Sequence, residues 1–304
     1  MLKIEGCGTA LVTPFLNGEV DYGAYAALVD RQYGAGVDFL VPLATTAETP
    51  TLSPEEKVRL LQITREHAPG LPLVVGCGSN ALPSTLANMQ LLEPFGVDAW
   101  LVVVPYYNKP TQEGQYRYFK AVAGSTDKPV VIYNVPGRTG VNMSAGTCCR
   151  LAAEVGNIIG IKEASGRMEQ VAEILETIAG LPGLRERFSV LSGDDDMTFG
   201  MMKLGADGVV SVASNIAPAE LVRMTSAMLA ARRGDNPEPE LAMAAALDEK
   251  LQPLFRNCFV ESNPIPVKAG LASMGLMSPE VRLPLTEATE NTKRIMAATI
   301  AALK

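Results

Sequence analysis

Along most of the chain, short apolar runs alternate with longer stretches in which apolar positions recur at a helical spacing. The runs are continuously apolar and rich in β-branched residues, which is typical of parallel strands buried on both faces. They predict eight strands, at about residues 6–12, 39–43, 73–77, 99–105, 130–134, 158–162, 189–192 and 208–212. The stretches between and after them predict helices near residues 21–35, 54–68, 80–95, 111–126, 144–154, 167–180, 195–204 and 218–231.

Eight strand–helix units within about 230 residues predict a (β/α)₈ TIM barrel. The alternative is a doubly wound open sheet, which would more often carry a glycine-rich phosphate loop after its first strand. Residues 8–12 form no such loop. After a stretch rich in Gly and Pro near residue 235, the pattern becomes helical. We therefore predict a barrel over residues 1–232 and a C-terminal helical extension over residues 233–304.

Local signals mark several helix starts. Ser53 precedes a proline and two glutamates, the arrangement of a capping residue followed by proline and acids in the first turn. Asn80 and Ser144 are predicted caps of the same kind. The acidic run at residues 194–196 could suggest a metal site, but a helix follows it and no histidine is near, so we predict acids at a helix start.

Composition limits the chemistry. The chain carries 26 basic and 33 acidic residues, a net charge of −7, which disfavours nucleic acid and anionic membranes as partners. It holds one histidine and five cysteines without a C-x-x-C pair, which disfavours most histidine catalysis and zinc sites; no metal is predicted. Buried free thiols, no evident signal peptide and no apolar run of about 18 residues predict the cytoplasm.

Lys162 is the most distinctive candidate for chemistry, because active-site groups of such barrels lie at the carboxyl ends of the strands. It closes the apolar run at residues 158–161, so its amine would lie in a largely apolar barrel mouth. Desolvation favours the neutral amine, which attacks a ketone and forms a Schiff base. The alternative is a lysine that extends to solvent or pairs with Glu163, and the run alone does not separate the two.

Other polar side chains end neighbouring strands. Tyr133 lies on the strand before Lys162 and could shuttle protons where no histidine is available, or simply pack at the barrel rim. Thr45 and Thr46 could relay a proton or hold a carboxylate, or only cap the end of their strand. Arg138 follows a Pro-Gly turn and could clamp a carboxylate, although a surface arginine is the plainer interpretation.

Four strings together resemble the dihydrodipicolinate synthase (4-hydroxy-tetrahydrodipicolinate synthase) family of pyruvate-dependent class I aldolases. They are VPYYNKP at residues 104–110, YNVPGRTG at 133–140, IKEAS at 161–165 and ESNPIPVK at 261–268. The resemblance runs from Gly6 to about Leu285, nearly the whole chain. Because several long matches occur in the same order, the resemblance favours the catalytic interpretations of Lys162, Tyr133 and Arg138 over the structural ones.

The resemblance implies a lyase that condenses pyruvate with L-aspartate 4-semialdehyde in lysine and diaminopimelate biosynthesis, with no cofactor besides the covalent Schiff base. It implies that Lys162 forms this Schiff base, that Tyr133 donates and accepts protons, and that Arg138 receives the carboxylate of the semialdehyde. It further implies that Thr45 links Tyr133 to a Tyr107 contributed by a neighbouring subunit, within a homotetramer of two tight dimers. The remaining implied substrate-binding residues are Thr46, Gly193 and Val210.

Two departures from the family pattern bear on function. The usual Gly-Thr-Thr-Gly-Glu reads ATTAE at residues 44–48, which adds two methyl groups where the backbone approaches substrate. We expect small positional shifts and retained activity. At positions that bind lysine in feedback-regulated members, the chain has Pro54, Lys57 and Ser84, although Asn80 and Tyr106 remain. A cationic Lys57 would repel lysine, so we predict weak or absent inhibition by lysine.

Two other functions stay open at this point. N-acetylneuraminate lyases and keto-deoxy sugar acid aldolases run the same Schiff-base chemistry with other acceptors, and the resemblance favours the synthase because sugar-cleaving relatives generally lack an arginine like Arg138. A catalytically silent barrel with a binding or structural role is the second alternative. The presence of Lys162, Tyr133, Thr45 and Tyr107 together argues against it.

Overall fold

The computed structural model describes residues 2–234 and 236–303. All eight predicted strands are confirmed, and only the sixth runs past its predicted run, by one residue. They are β1 (Gly6–Ala10), β2 (Phe39–Val41), β3 (Val74–Gly76), β4 (Ala99–Val103), β5 (Val130–Asn134), β6 (Ile158–Glu163), β7 (Ser189–Ser192) and β8 (Gly208–Ser211). A two-stranded hairpin of Phe15–Leu16 and Glu19–Val20 was not predicted.

The eight predicted helices are confirmed, each after its strand. They are Tyr22–Gly34, Pro54–His67, Leu82–Leu92, Gln112–Ala123, Ala145–Glu154, Met168–Ala179, Thr198–Leu204 and Pro218–Arg233. The helical C-terminal stretch contains Glu238–Asn257, Ile265–Ser273 and Glu290–Leu303, and two short helices, Pro136–Thr139 and Leu184–Arg187, were not predicted. Among the residues that the structure describes, no helix is both long and apolar enough to cross a membrane.

The eight strands form one parallel sheet in the order β2-β1-β8-β7-β6-β5-β4-β3. All neighbouring pairs in this order are consecutive in the chain except β1 and β8, the first and last strands, which is the order of a (β/α)₈ barrel rather than of a doubly wound sheet. The predicted fold class is confirmed. The continuous burial of the strands explains why their sequences show no alternation of polar and apolar residues.

Two of the three predicted helix caps are confirmed. Ser53 Oγ accepts a hydrogen bond from the Glu56 N–H at 3.2 Å, and the Glu56 side chain accepts the Ser53 N–H at 2.8 Å, which completes a capping box. Ser144 Oγ accepts the Thr147 N–H. The prediction for Asn80 is wrong: the helix begins at Leu82, with a proline in its first turn and no side-chain cap. Proline fixes the helical φ and needs no partner for an N–H, so this start does not require a capping side chain.

The chain divides into two compact units. Unit A comprises residues 2–5 and 72–210 and holds β3 to β7 with most of β8. Unit B comprises residues 6–71, 211–234 and 236–303 and holds β1, β2 and the C-terminal helices. The largest fully buried side chains of unit A include Trp100, Phe119 and Phe188, and those of unit B include Phe39 and Phe255. Burying each such side chain stabilises its unit by about 1.5–3 kcal/mol. The predicted boundary at residue 232 stays a prediction.

The five cysteines are buried free thiols, as predicted. Burial raises the pKa of Cys77, Cys148 and Cys149, because an apolar environment disfavours the thiolate. These side chains therefore behave as small core residues and not as nucleophiles.

Candidate active site

Lys162 and Tyr133 form the centre of the candidate site in unit A. β5 and β6 pair in parallel with Tyr133 opposite Lys162, so both side chains leave the sheet on the same face. Lys162 is only 3% exposed, and its Nζ lies 4.0 Å from the centroid of the Tyr133 ring. The lysine therefore does not extend to solvent, and the predicted nucleophile and the predicted proton shuttle lie side by side.

Gly193 leaves room for the Lys162 side chain. A Cβ atom at this position would lie 2.7 Å from Ala164 Cβ and 3.1 Å from Lys162 Cε, closer than such atoms can approach without a shift. Its backbone N–H donates to the Glu163 carbonyl at 2.8 Å, which ties the end of β7 to the end of β6. The structure thus places Gly193 against the stem of the candidate nucleophile.

Asp194 is a candidate that the sequence interpretation missed. Burial raises the pKa of Asp194 to about 6, the Lys162 amine opposes part of this rise, and Asp196 and Asp195 add to it. The latter two lie in the 3₁₀ turn Asp195–Met197 that leads into the helix Thr198–Leu204, which confirms the acids at a helix start. Asp194 is half-buried, whereas Asp195 is buried and Asp196 is exposed, and the carboxyl of Asp194 lies within electrostatic range of Lys162.

The residues that follow Tyr133 and Lys162 build a polar network on the opposite face of the sheet. Asn134 Nδ2 and Gln170 Nε2 each donate to Glu163 Oε2 at 3.0 Å, and the Ser165 N–H donates to Glu163 Oε1 at 2.7 Å. Glu163 is 2% exposed, and a buried carboxylate without such donors would cost several kcal/mol, about the effective penalty of one buried ion. The network therefore fixes the register of β5 against β6, and with it the placement of Lys162 against Tyr133.

Arg138 and Tyr107 lie on segments that follow strands of unit A. Arg138 is exposed on the short helix Pro136–Thr139, which starts with proline and ends at Gly140 in the left-handed conformation, φ 74°. Tyr107 is 88% exposed, has a φ of 71°, and donates its backbone N–H to the Thr139 carbonyl at 3.3 Å. Its ring therefore extends away from unit A. Val210 lies on β8 and is 1% exposed.

Thr45 and Thr46 lie in unit B, in a 3₁₀ turn, Thr45–Ala47, that follows β2. Thr46 is buried, and its hydroxyl accepts a hydrogen bond from Asn263 Nδ2 at 3.0 Å. Left-handed residues flank the turn, Leu43 with φ 57° and Glu48 with φ 53°. Each such residue costs about 1–2 kcal/mol. The predicted link from Thr45 to Tyr133 stays a prediction.

The two alanines of the Ala44–Glu48 loop occupy ordinary backbone conformations. Ala44 has φ −94° and ψ −167°, and Ala47 has no positive φ. Both methyl groups are buried, with Ala44 at 7% and Ala47 at 2% exposure. Neither position therefore needs the conformational freedom of a glycine.

The chemistry of unit A is that of an amine beside a phenol and a carboxyl. Within residues 2–234 and 236–303 no group of three or more His, Cys, Asp or Glu side chains is arranged to hold a metal ion. A buried primary amine can form a Schiff base with a carbonyl compound, and the phenol and carboxyl can exchange protons with the adduct. A ketone or an aldehyde is the substrate class that this arrangement suits.

Comparisons with known proteins agree on one family. A family model described as the dihydrodipicolinate synthetase family matches residues 3–303. The 4-hydroxy-tetrahydrodipicolinate synthase of Phocaeicola vulgatus is 45% identical over 304 residues, 99% of this chain and 98% of the relative. The synthase of Thermotoga neapolitana is 43% identical over 293 residues, 96% of each chain. A crystal structure of dihydrodipicolinate synthase from Thermotoga maritima superposes with a TM-score of 0.93 at 41% identity, covering 98% of each chain.

Proposed function

The chain belongs to the dihydrodipicolinate synthetase family, and on that premise we propose that it condenses pyruvate with L-aspartate 4-semialdehyde. The product is 4-hydroxy-tetrahydrodipicolinate, which makes the protein a lyase of lysine and diaminopimelate biosynthesis. The observation that carries the proposal is the buried Lys162 amine over the Tyr133 ring, 4.0 Å from its centroid. N-acetylneuraminate lyase and keto-deoxy sugar acid aldolase activity, which need the same amine, are not favoured by the named relatives.

Lys162 begins the reaction. In its neutral form the amine attacks C2 of pyruvate, and Tyr133 donates a proton to the carbonyl oxygen, giving a carbinolamine. Loss of water then gives the protonated imine on Lys162. Tyr133 serves both proton transfers in this proposal, which the 4.0 Å between the Lys162 amine and the centroid of its ring supports.

The imine then becomes a carbon nucleophile. Tyr133 takes a methyl proton and an enamine forms. Its terminal carbon attacks the aldehyde carbon of the semialdehyde, and the aldehyde oxygen takes a proton and becomes a hydroxyl, while Arg138 holds the carboxylate of that substrate. The amino group of the semialdehyde moiety next attacks C2, the Lys162–carbon bond breaks, and the ring closes as the free amine is restored. Thr46, Gly193 and the backbone at Val210 line the pyruvate site in this proposal.

Tyr107 takes its role in an oligomer. We propose a homotetramer of two tight dimers, in which Thr45 passes protons between Tyr133 and a Tyr107 from the neighbouring subunit. The 88% exposure of Tyr107 supports this role, because a ring that extends away from its own unit is available to a second copy of the chain. The cytoplasm stays the predicted compartment, and no cofactor beyond the Schiff base is proposed.

Borohydride reduction in the presence of pyruvate tests the shared first step. The reduced adduct is stable, so peptide mass analysis should find one pyruvyl group on Lys162. Assays with aspartate semialdehyde and with N-acetylneuraminate then separate the synthase from its sugar-cleaving relatives. Turnover of the sugar acid in place of the semialdehyde would overturn the proposed acceptor.

Replacing Arg138 with alanine should chiefly impair use of the semialdehyde. A charge-assisted hydrogen bond contributes about 1.5–3 kcal/mol, so we expect kcat/KM for the semialdehyde to fall about 10- to 150-fold. The yield of the borohydride adduct with pyruvate should stay at the wild-type level, because Schiff-base formation precedes the acceptor. Arg117→Ala, which removes an exposed arginine of the helix Gln112–Ala123, is the control. Equal turnover by both variants would show that the role given to Arg138 is wrong.

Lysine should inhibit the protein weakly or not at all. Lys57 is partly buried on the helix Pro54–His67, at a position where regulated members bind lysine, and a second ammonium group there would meet like-charge repulsion. Burial lowers the pKa of Lys57 from its ordinary value, so the charge and the repulsion decrease as the pH rises. The check is a steady-state titration with lysine at pH 7. Strong inhibition at millimolar lysine would contradict this prediction.

A further inference from the structure

Lys268 and Glu48 form a buried ion pair in unit B that the proposed mechanism does not use. Lys268, on the helix Ile265–Ser273, is 0% exposed, and its Nζ lies 2.6 Å from Glu48 Oε1. The same amine lies 4.3 Å from the centroid of the Phe15 ring. Glu48 Oε2 accepts the backbone N–H of Arg282 at 2.9 Å, so both oxygens of the carboxylate have a partner.

The pair is a poor source of stability. Taking both charges out of water offsets most of their attraction, and an apolar pair of similar volume is often as stable or more stable. Burial lowers the pKa of Lys268 to about 8, although Glu48 raises it again in part. The folded protein thus disfavours the charged lysine relative to the unfolded chain, which points to a role other than stabilisation.

Glu48 is the residue that closes the turn carrying Thr45 and Thr46. Its backbone N–H donates to the Thr45 carbonyl at 3.1 Å, and its own carbonyl accepts the Thr51 N–H at 2.9 Å. Its φ of 53° is a conformation that a non-glycine side chain keeps only where its surroundings fix it. The contacts to Lys268 and to the Arg282 backbone supply that restraint.

A second contact joins the same two segments. Asn263 precedes the helix of Lys268 and donates to Thr46 Oγ1 at 3.0 Å. The stretch ESNPIPVK at residues 261–268 therefore contacts the Ala44–Glu48 loop at two points, once at the Thr46 hydroxyl and once at the left-handed Glu48. This stretch is also one of the strings on which the family resemblance rests.

We propose that Lys268 and Glu48 are positioning residues, whose ion pair holds the Ala44–Glu48 loop in the conformation that aims the Thr45 and Thr46 hydroxyls. The inference rests on the proposed function, in which Thr45 relays protons and Thr46 contacts pyruvate. Neither Lys268 nor Glu48 touches substrate in this account. Without the ion pair the protein would still fold, but the Thr45 and Thr46 hydroxyls would lose their fixed orientation. Small misplacements of catalytic groups strongly reduce reaction rates.

The test compares Lys268→Met with the double variant Glu48→Gln/Lys268→Met. The single variant leaves the Glu48 carboxylate without its cation and should lose stability. The double variant removes both charges at nearly constant volume and should melt within a few degrees of the wild type. We expect its kcat/KM for pyruvate to fall about 10- to 100-fold all the same. A double variant that regains both stability and wild-type turnover would overturn the inference.

Arg185→Met is the matched control. Arg185 pairs with the buried Asp207 at 2.7 Å in unit A, so its removal also takes the nearest cation from a buried carboxylate, which keeps the Val190 N–H and the more distant Lys3 amine. This variant should lose stability and keep wild-type kcat/KM when assayed below its melting temperature. A tenfold loss of kcat/KM here would show that any broken buried pair impairs turnover, which would remove the support for a specific role of Lys268 and Glu48.

Amide hydrogen exchange separates failure of this inference from failure of the proposed function. In the double variant the amides of Ala47, Glu48 and Thr51 should exchange at least about tenfold faster than in the wild type, because loop opening sets their protection. Unchanged exchange at these amides overturns the inference whatever the activity. If the wild type forms no pyruvate adduct, the proposed function fails, and faster exchange still supports the positioning of the loop.

Discussion

Replacing Lys162 with methionine should abolish the borohydride-trapped pyruvate adduct and lower turnover of pyruvate and aspartate semialdehyde by about 10⁴- to 10⁶-fold, the range seen when a covalent nucleophile is removed. Methionine keeps the length and apolar stem of the side chain but has no nucleophilic nitrogen. Because Lys162 is 3% exposed and its stem packs against Gly193, the substitution should leave the fold intact. Peptide mass analysis after reduction and steady-state assays measure both effects.

Lys203→Met is the control for this substitution. Lys203 is an exposed lysine whose amine lies 5.6 Å from the Phe199 ring centroid. Like Lys162 it lies over an aromatic ring, but unlike Lys162 it is not buried. We expect its adduct yield and turnover to match those of the wild type. A stoichiometric pyruvyl adduct on another lysine in the Lys162→Met protein would contradict the assignment of the nucleophile.

The strands were predictable because each is buried on both faces and reads as an unbroken apolar run. The apolar pattern could not predict the short hairpin and the short helices. The hairpin Phe15–Leu16 with Glu19–Val20 has two-residue strands, and Leu184–Arg187 is a single helical turn. Neither is long enough to display a period of two or of 3.6 residues, so no periodicity marks them.

The pairing of Lys162 with Tyr133 was also predictable, because both residues end consecutive strands of a parallel sheet. The role of Glu163 was not. Sequence proximity suggested an ion pair with Lys162, but adjacent residues of a strand face opposite sides, and the Glu163 carboxylate binds Asn134 and Gln170 instead. Gln170 belongs to the next helix, so the partners of Glu163 depend on how that helix packs.

No local sequence pattern could predict the Lys268–Glu48 pair. The two residues are 220 positions apart, and both belong to residue types that are almost never fully buried without a partner. In sequence, the string at residues 261–268 indicates a family and predicts no contact. Only the fold shows that this string and the Thr45–Thr46 turn are bound to each other.

Replacing Tyr133 with phenylalanine should lower kcat by about 10²- to 10⁴-fold, the usual contribution of a positioned proton donor. The aromatic ring that faces the Lys162 amine at 4.0 Å stays in place, so the loss can be assigned to the hydroxyl alone. Schiff-base formation should slow as well, because carbinolamine dehydration also needs the proton. Single-turnover trapping with borohydride at increasing times measures this step directly.

Tyr118→Phe is the control for loss of a buried hydroxyl, since Tyr118 donates to the Ser79 carbonyl at 2.8 Å and its pKa is raised by burial to about 12. It should lose some stability and keep its turnover.

A Tyr133→Phe protein with kcat within threefold of the wild type would assign the proton transfers to another group, and Asp194 is the one that the structure offers. Its pKa of about 6, set by burial beside Lys162, allows it to hold or release a proton near neutral pH. Asp194→Asn then separates the two: if Tyr133 is the shuttle, this variant keeps the rate of dehydration that Tyr133→Phe loses.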